Sequence, residues 1–272
     1  MLKNRVITAV ALAPLIILGI LYLPEIWVAV AFAAFIAVSA WEWSDLSGLT
    51  ALKSRLGFVA LTVLLMATYR YWAGYLLEWL AWPVVAWWFV LSILIRRIPA
   101  KLVSYNYPVA FRLFIGAFVL VSAWILLVWT LVNLGRVQLL YLLLLIWAAD
   151  IAAYFSGKRW GLTKLCPDIS PGKTVAGLYG ALLAAIVFAI AVGVYKEFKT
   201  VLLVDFVVLS ALTVVVSVVG DLFESLAKRI KGVKDSGHVL PGHGGVLDRI
   251  DSVLAGVSVF YAGCSELGIY FQ

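Results

Sequence analysis

Long apolar stretches separated by short polar segments run through the whole chain. Nine of them approach the length of about 20 residues that an α-helix needs to cross the roughly 30 Å core of a bilayer. They cover residues 6–23, 26–43, 56–72, 75–95, 113–132, 137–155, 175–195, 201–220 and 252–271. Strands of a membrane barrel would alternate apolar and polar positions, and these stretches do not. The pattern predicts an all-α integral membrane protein, a polytopic bundle of nine transmembrane helices.

The composition agrees with this prediction. Of the 272 residues, 65% are hydrophobic and 13% are charged, whereas soluble domains are about half apolar and about a quarter charged. Such an apolar chain is not intrinsically disordered, and nine crossings leave no room for a separate soluble domain. The two cysteines, Cys166 and Cys264, lack the spacing of a zinc or redox pair.

Lysine and arginine are distributed unevenly between alternate connections. Seventeen lie on the side of the N-terminus and four on the other side. Short cytoplasmic loops carry the excess of positive residues, so we expect a cytoplasmic N-terminus and cytoplasmic loops at 156–174 and 221–251. We divide the chain into residues 1–135, a scaffold of five helices that could provide lipid access or dimer contacts, and residues 136–272, the catalytic region.

Ionisable residues are concentrated between positions 221 and 251, which hold twelve of the 37 in the chain. Apolar spacing continues past Gly220, so the eighth helix is predicted to extend to Ile230 with one polar face. That face carries Asp221, Glu224 or Ser225, and Lys228, spaced over two turns. Alone, this pattern is typical of a solvated helix end, but the residues that follow favour a site.

Two further carboxylates, Asp248 and Asp251, lie three positions apart where the ninth helix begins. Both can face one point, although one could be only an N-cap. With Asp221 they would form the hard, oxygen-rich site that Mg²⁺ prefers when it also keeps waters and substrate phosphates. Zinc is less favoured, because His238 and His243 lack the spacing of helical zinc ligands.

Features that suit phosphate binding lie in both cytoplasmic loops. Glycines between positions 232 and 245 let backbone N–H groups approach phosphate oxygens. The cations Lys228, Lys234 and Arg249 lie in the same loop or at its edges. The combination fits phosphoryl or nucleotidyl transfer, in which positioning and charge neutralisation do most of the catalysis.

The segment from Ser170 to Thr174, which includes Lys173, imitates part of a P-loop without being one. Pro167 stands where the first glycine of that motif belongs. The segment could donate hydrogen bonds to phosphate or simply mark the start of a helix.

Several acidic residues lie within or near the apolar stretches, outside the polar region described above. Asp150 lies inside the sixth stretch and is a functional candidate, because carboxylates within membrane spans are costly. Glu42, Asp45 and Glu78 lie nearer the ends of stretches and receive little functional weight.

The polar region resembles the signature of the phosphatidate cytidylyltransferases, the CDP-diacylglycerol synthases. The likeness is carried by Ser225-x-x-Lys228-Arg229-x4-Lys234-Asp235-x5-Pro241-x-His243-Gly244-Gly245-x-x-Asp248-Arg249-x-Asp251. It extends upstream to Gly220-Asp221, to Ser170-Pro171-x-Lys173-Thr174-x-x-Gly177 and to Asp150-x-x-Ala153-Tyr154-Phe155-x-Gly157. It departs at Ala176, where relatives often carry a polar residue, and it covers about the second half of the chain.

The resemblance implies that CTP and phosphatidic acid react to give CDP-diacylglycerol and pyrophosphate, with Mg²⁺, at the cytoplasmic face of the inner membrane. We expect Asp221, Asp248 and Asp251 to hold Mg²⁺, with a second cation as an additional expectation. Lys228 and Arg249 complete the expected catalytic set. Expected substrate-binding residues are Asp150, Ser170, Lys173, Thr174, Ser225, Arg229, Lys234, Asp235, His243, Gly244 and Gly245. A homodimer is a further expectation, and nucleic acid is not expected as a partner.

Two other classes of function remain open. One is a CTP-dependent kinase, or a cytidylyltransferase acting on another lipid such as an isoprenoid alcohol or an ether lipid. The other is a transporter or channel. The charges cluster at one face instead of recurring at mid-membrane, and the glycine-rich segment joins two helices instead of breaking one, which argues against transport.

Overall fold

The computed structural model describes residues 13–72, 77–237 and 244–271. The helices are α1 (Ala13–Tyr22), α2 (Glu25–Leu46), α3 (Leu52–Ala67), α4 (Tyr69–Trp72), α5 (Leu77–Arg97), α6 (Pro99–Ser104), α7 (Val109–Trp129), α8 (Arg136–Trp160), α9 (Val175–Tyr195), α10 (Thr200–Lys231) and α11 (Leu247–Leu267). A π-helical turn, Thr130–Leu134, follows α7. Two short strands, β1 (Lys164–Cys166) and β2 (Ser170–Thr174), form an antiparallel hairpin between α8 and α9.

Seven helices in the described ranges are long and apolar enough to cross a membrane, namely α2, α5 and α7 to α11. The helix α3 has 16 residues, and the described part of α1 has 10, so both are shorter than a full span. Each of the nine predicted apolar stretches nevertheless contains a helix. The prediction of a helical, multi-pass membrane protein is confirmed.

The hairpin is the exception to the all-α prediction. The helices α8 and α9 pack side by side, so the chain between them must reverse direction within a few residues. Pro167 and Pro171 do not favour a helix there. Pairing of Lys164 with Thr174 and of Cys166 with Ser170 satisfies backbone groups within this reversal.

The most enclosed span is α7, of which 83% is buried inside the bundle. It packs against α2, α3 and α11, while α10 packs against α9 and α11. The helices α2 and α5 also contact α10 and α11. Helices from the first 135 residues therefore lie directly against the two helices that carry most of the acidic candidates.

The predicted extension of the eighth apolar stretch is confirmed. The helix α10 runs for 32 residues and ends at Lys231, where Gly232 adopts the left-handed conformation that commonly terminates helices. Its last three turns carry Asp221, Glu224 and Lys228 beside the start of α11.

Candidate active site

Three carboxylates converge where α10 and α11 meet. Asp221 and Glu224 lie one turn apart on α10, and Asp251 lies on α11. One oxygen from each is within 4.8 Å of the other two. The two helices approach closely because Gly220 faces the Asp251 backbone, and a Cβ at Gly220 would overlap the Asp251 carbonyl oxygen. Glycine at this position thus brings the three acids together.

This carboxylate group is largely removed from solvent. Glu224 is 2% exposed and Asp251 is 8% exposed, while Asp221 is half-buried. Within the described part of the chain, the buried Oε1 of Glu224 has no hydrogen-bond partner. Buried carboxylates are costly unless cations or donors satisfy them. The donor set is therefore suited to a hard cation.

Two lysines lie against the acids. Lys173 Nζ is 2.7 Å from Asp221 Oδ2 and donates to the backbone oxygen of Val218. Lys228 Nζ lies 2.8 Å from Glu224 Oε2 and 2.5 Å from Asp248 Oδ1. Together the site has four carboxylates, those of Asp221, Glu224, Asp248 and Asp251, and two lysine ammonium groups. When all six are ionised, two negative charges remain, which one divalent cation would balance.

Asp248, which the sequence suggested as a metal ligand, lies beside this carboxylate group and contacts Lys228. The carboxylate group within 4.8 Å contains Glu224 and does not include Asp248. Both oxygens of Asp248 have other partners: Oδ1 contacts Lys228, and Oδ2 accepts hydrogen bonds from Gly245 N at 2.8 Å and from Ser236 N and Oγ at 3.1 and 2.9 Å. Asp248 lies in the first turn of α11, where a negative charge is favourable, and the backbone N–H groups that it accepts from precede this helix.

The hairpin candidates lie at the start of α9. Thr174 is buried and its Oγ1 accepts a hydrogen bond from Gly177 N, which makes it the N-cap of α9. Ser170 is half-buried at the start of β2. Arg229 Nε donates to the backbone oxygen of Ile169, which ties the hairpin to α10. Of the residues in this loop, Lys173 is the one that reaches the carboxylate group.

The remaining candidates surround this group. Ser225 Oγ donates to Asp221 Oδ1 at 3.3 Å. Gly244 and Gly245 precede α11, and Asp150 lies exposed on α8. Exposed positions are also occupied by Lys234, Asp235 and Arg249. His243, and with it His238, Pro241 and Gly242, lies outside the described residues.

Two acidic residues at the site, Glu224 and Glu42, are not among the ligands expected from the sequence. Glu224 lies on the predicted polar face of α10, beside Asp221. Glu42 lies near the end of a predicted apolar stretch, but it is 2% exposed and accepts hydrogen bonds from Val246 N, Leu247 N and Ser236 Oγ. The available signal was its position between Trp41 and Trp43 in an apolar stretch, where a carboxylate requires partners.

The fold and the site define a multi-pass helical membrane protein with a buried acidic site between two of its helices. The profile of the cytidylyltransferase family matches residues 3–266, and the chain belongs to this family. It is 40% identical to the phosphatidate cytidylyltransferase of Pseudomonas aeruginosa, with 96% of each chain covered. It is 36% identical to that of Haemophilus influenzae, with 96% of this chain and 97% of the relative covered. It is 43% identical to that of Bacillus subtilis over 123 residues, 44% of each chain.

Proposed function

We propose that this protein is a phosphatidate cytidylyltransferase. It transfers the cytidylyl group of CTP to the phosphate of phosphatidic acid, which gives CDP-diacylglycerol and pyrophosphate. Two relatives with this activity in their names match nearly the whole chain. The observation that carries the proposal is the buried group of Asp221, Glu224 and Asp251, with Lys173 and Lys228 against it. It offers ligands for a metal and cations for phosphates in one place.

The proposed metal ligands are Asp221, Glu224 and Asp251. Carboxylate oxygens are the donors that Mg²⁺ prefers, and the unpartnered Oε1 of Glu224 supports their fit to a cation. A bound Mg²⁺ would neutralise phosphate charge and orient the nucleotide. Asp248, the fourth carboxylate, holds Lys228 and the backbone of Gly245 beside the metal ligands. A second cation remains an additional expectation.

In the proposed reaction, an oxygen of the phosphatidate phosphate attacks the α-phosphorus of CTP. The new O–P bond forms as the bond between the α-phosphorus and the bridging oxygen breaks, and pyrophosphate leaves with that oxygen. A phosphate monoester is largely ionised near neutral pH, so no general base is required and His243 needs no catalytic role. Lys173 and Lys228 neutralise phosphate charge, and the backbone N–H group of Gly244 donates to a phosphate oxygen. The N–H group of Gly245 is bonded to Asp248 Oδ2 and helps to hold that side chain in place.

The other substrate contacts are assigned from the resemblance. Ser170, Ser225, Arg229, Lys234, Asp235 and Arg249 border the same end of the bundle. The hydroxyl and cationic side chains among these residues suit phosphate oxygens, whereas the carboxylate Asp235 is assigned from the resemblance alone. Thr174 contributes through the start of α9, which its side chain caps, and Asp150 approaches from α8.

The proposed topology has nine crossings, with the N-terminus and the site on the cytoplasmic side of the inner membrane. The excess of lysine and arginine on one side supports this orientation. It gives the water-soluble CTP and the membrane-bound lipid access to one site. Residues 1–135 form the scaffold and residues 136–272 the catalytic region, and a homodimer is part of the proposal.

The experiment is incubation of the purified protein with phosphatidic acid, Mg²⁺ and CTP labelled at the α- or the γ-phosphate. We expect label from the α-position in the lipid product and label from the γ-position in pyrophosphate. Transfer of the γ-label to a lipid would indicate a kinase and overturn the proposal. Activity confined to an isoprenoid alcohol or an ether lipid would overturn the substrate assignment, and solute uptake into vesicles without CTP would favour a transporter.

A further inference from the structure

Glu42, near the end of α2, is a buried carboxylate that the proposed chemistry does not use. It is 2% exposed. Its Oε1 accepts a hydrogen bond from Val246 N at 2.9 Å, and its Oε2 accepts from Leu247 N at 2.8 Å and from Ser236 Oγ at 3.1 Å. All three donors are uncharged, and hydrogen bonds to an ionised acceptor are about twice as strong as neutral ones. Both carboxylate oxygens are thus committed to the glycine-rich region.

Two of these donors are backbone groups where α11 begins. The N-terminus of a helix leaves four N–H groups without partners inside the helix, and Val246, at the cap position, supplies no side-chain acceptor. Glu42 therefore caps α11 from another helix, about 200 residues away in sequence. Its negative charge also lies at the positive end of the α11 dipole. The helix capped in this way carries Asp248 and Asp251.

Glu42 also contacts both sides of the segment that joins α10 to α11. A Cβ at Gly237 would lie 2.6 Å from Glu42 Oε1, and one at Gly245 would lie 2.5 Å from Oε2. A side chain at either position would collide with the carboxylate, so glycine permits the backbone to close around it. Glu42 thus holds the backbone on the N-terminal and the C-terminal side of residues 238–243.

The contact continues to the proposed catalytic groups. The single hydroxyl proton of Ser236 is shared between Glu42 Oε2, 3.1 Å from Oγ, and Asp248 Oδ2, 2.9 Å from Oγ. Asp248 in turn binds Lys228, which also contacts the metal-ligand candidate Glu224. Ser236 therefore contacts Glu42 on one side and the ion pair of Asp248 and Lys228 on the other.

We infer that Glu42 is a positioning residue of the active site. Its carboxylate fixes the start of α11 and Ser236. It thereby sets the position of Asp248, and of the Gly244 backbone that faces the nucleotide phosphates in the proposed reaction. Residues 1–135 therefore take a direct part in organising the site. This inference rests on the proposed function.

The test compares Glu42→Gln with wild type and with Glu25→Gln. Glu25 is an exposed acid at the opposite end of α2, so its variant matches the change in charge without touching the site. For each purified protein, kcat, the KM for CTP and the Mg²⁺ concentration at half-maximal rate are measured per folded molecule. Folded protein is quantified by size-exclusion chromatography and thermal unfolding in detergent.

We expect Glu42→Gln to lower kcat/KM for CTP by about 10- to 100-fold, the usual loss when a partner of a metal or substrate ligand is removed. The Mg²⁺ concentration at half-maximal rate should also rise. An amide offers one acceptor oxygen instead of two, and its NH2 group faces backbone donors. Glu25→Gln should retain wild-type constants.

A role in stability alone would lower the yield or the melting temperature and leave the kinetic constants of the folded protein unchanged, and that result would overturn the inference. If Glu42→Gln is not recovered folded, Glu42→Asp replaces it. Its carboxylate is one methylene shorter and cannot reach all three donors, so kcat/KM should again fall, and wild-type constants would contradict the inference. If wild type itself makes no CDP-diacylglycerol, the proposed function fails, whereas an active wild type with an unimpaired Glu42 variant refutes the positioning role alone.

Discussion

Replacement of Glu224 by Gln tests the metal-ligand set directly. The side chain is 2% exposed, its Oε2 binds Lys228 at 2.8 Å, and its Oε1 has no hydrogen-bond partner in the described structure. Glutamine keeps the shape and an oxygen for Lys228, which also retains Asp248. The substitution therefore removes one negative charge and one ligand without leaving Lys228 unpaired.

The strength of the repulsion among the three carboxylates follows from the distances between their oxygens. Two carboxylate charges 4.8 Å apart, the upper limit here, repel each other by about 3 to 4 kcal/mol at an effective dielectric constant of about 20. Without a divalent cation, loss of the Glu224 charge relieves this repulsion but also weakens the attraction to Lys228, 2.8 Å away. Because these two changes oppose each other, the Glu224→Gln protein should unfold in EDTA at a temperature close to that of wild type.

With Mg²⁺ the melting temperatures of the two proteins should differ. A ligand at about 100 times its Kd stabilises the folded state by about 2.7 kcal/mol, which corresponds to a rise in Tm of about 5 °C or more for a chain of this size. Wild type should show this rise, and Glu224→Gln should lose most of it together with about 100-fold in turnover. The assay is a Mg²⁺ titration of Tm, followed by the fluorescence of the 12 tryptophans, and of CDP-diacylglycerol formation.

Glu266→Gln is the matched control, because Glu266 is exposed near the far end of α11. It should behave as wild type in both titrations. A Glu224→Gln protein that keeps the full Mg²⁺-dependent rise in Tm and near wild-type turnover would refute the assignment of Glu224 as a metal ligand.

Three other predictions concern the framework of the site. Gly220→Ala should lower turnover by about 100-fold, because the new Cβ would overlap the Asp251 carbonyl oxygen and push α10 away from α11. A Cβ at Gly57 meets no atom within 4 Å, so Gly57→Ala should be as active as wild type, and equal activities of the two variants would contradict this account of the helix contact. Thr174→Ala removes the N-cap of α9 and should cost about 1 kcal/mol, seen as a lower Tm that Thr174→Ser largely restores, and an unchanged Tm would count against the cap. In intact spheroplasts, a membrane-impermeant maleimide should label Lys199→Cys but not Lys158→Cys, because positions 158 and 199 lie on either side of the α9 crossing. The parent protein, with its buried Cys166 and Cys264, gives the background, and the opposite labelling pattern would invert the proposed topology.

The sequence was sufficient to predict features that depend on local patterns. Apolar stretches of membrane-spanning length predicted the helices, because the bilayer sets their length and composition. The continued spacing beyond Gly220 predicted that α10 extends to about Ile230, and the helix ends at Lys231. The expected proximity of Asp221 and Asp251 is also present in the structure.

Features set by contacts between distant parts of the chain were harder to predict. Glu224, and not Asp248, lies within 4.8 Å of Asp221 and Asp251. This arrangement is formed by the packing of α10 against α11, where Gly220 faces the Asp251 backbone. The hydrogen bonds of Glu42 span about 200 residues, and no local pattern reports such a contact. The hairpin at 164–174 results from the side-by-side packing of α8 and α9, which the sequence of the loop alone does not reveal.

The central claim is that the acidic and cationic groups where α10 meets α11 catalyse cytidylyl transfer to phosphatidic acid. The most direct measurement is Mg²⁺-dependent formation of CDP-diacylglycerol from CTP and phosphatidic acid by purified wild type and Asp221→Asn in detergent. Wild type should form the product, and Asp221→Asn should form almost none while keeping its expression level and solubilised size. Near wild-type product formation by a folded Asp221→Asn protein, or none by wild type, would contradict the account.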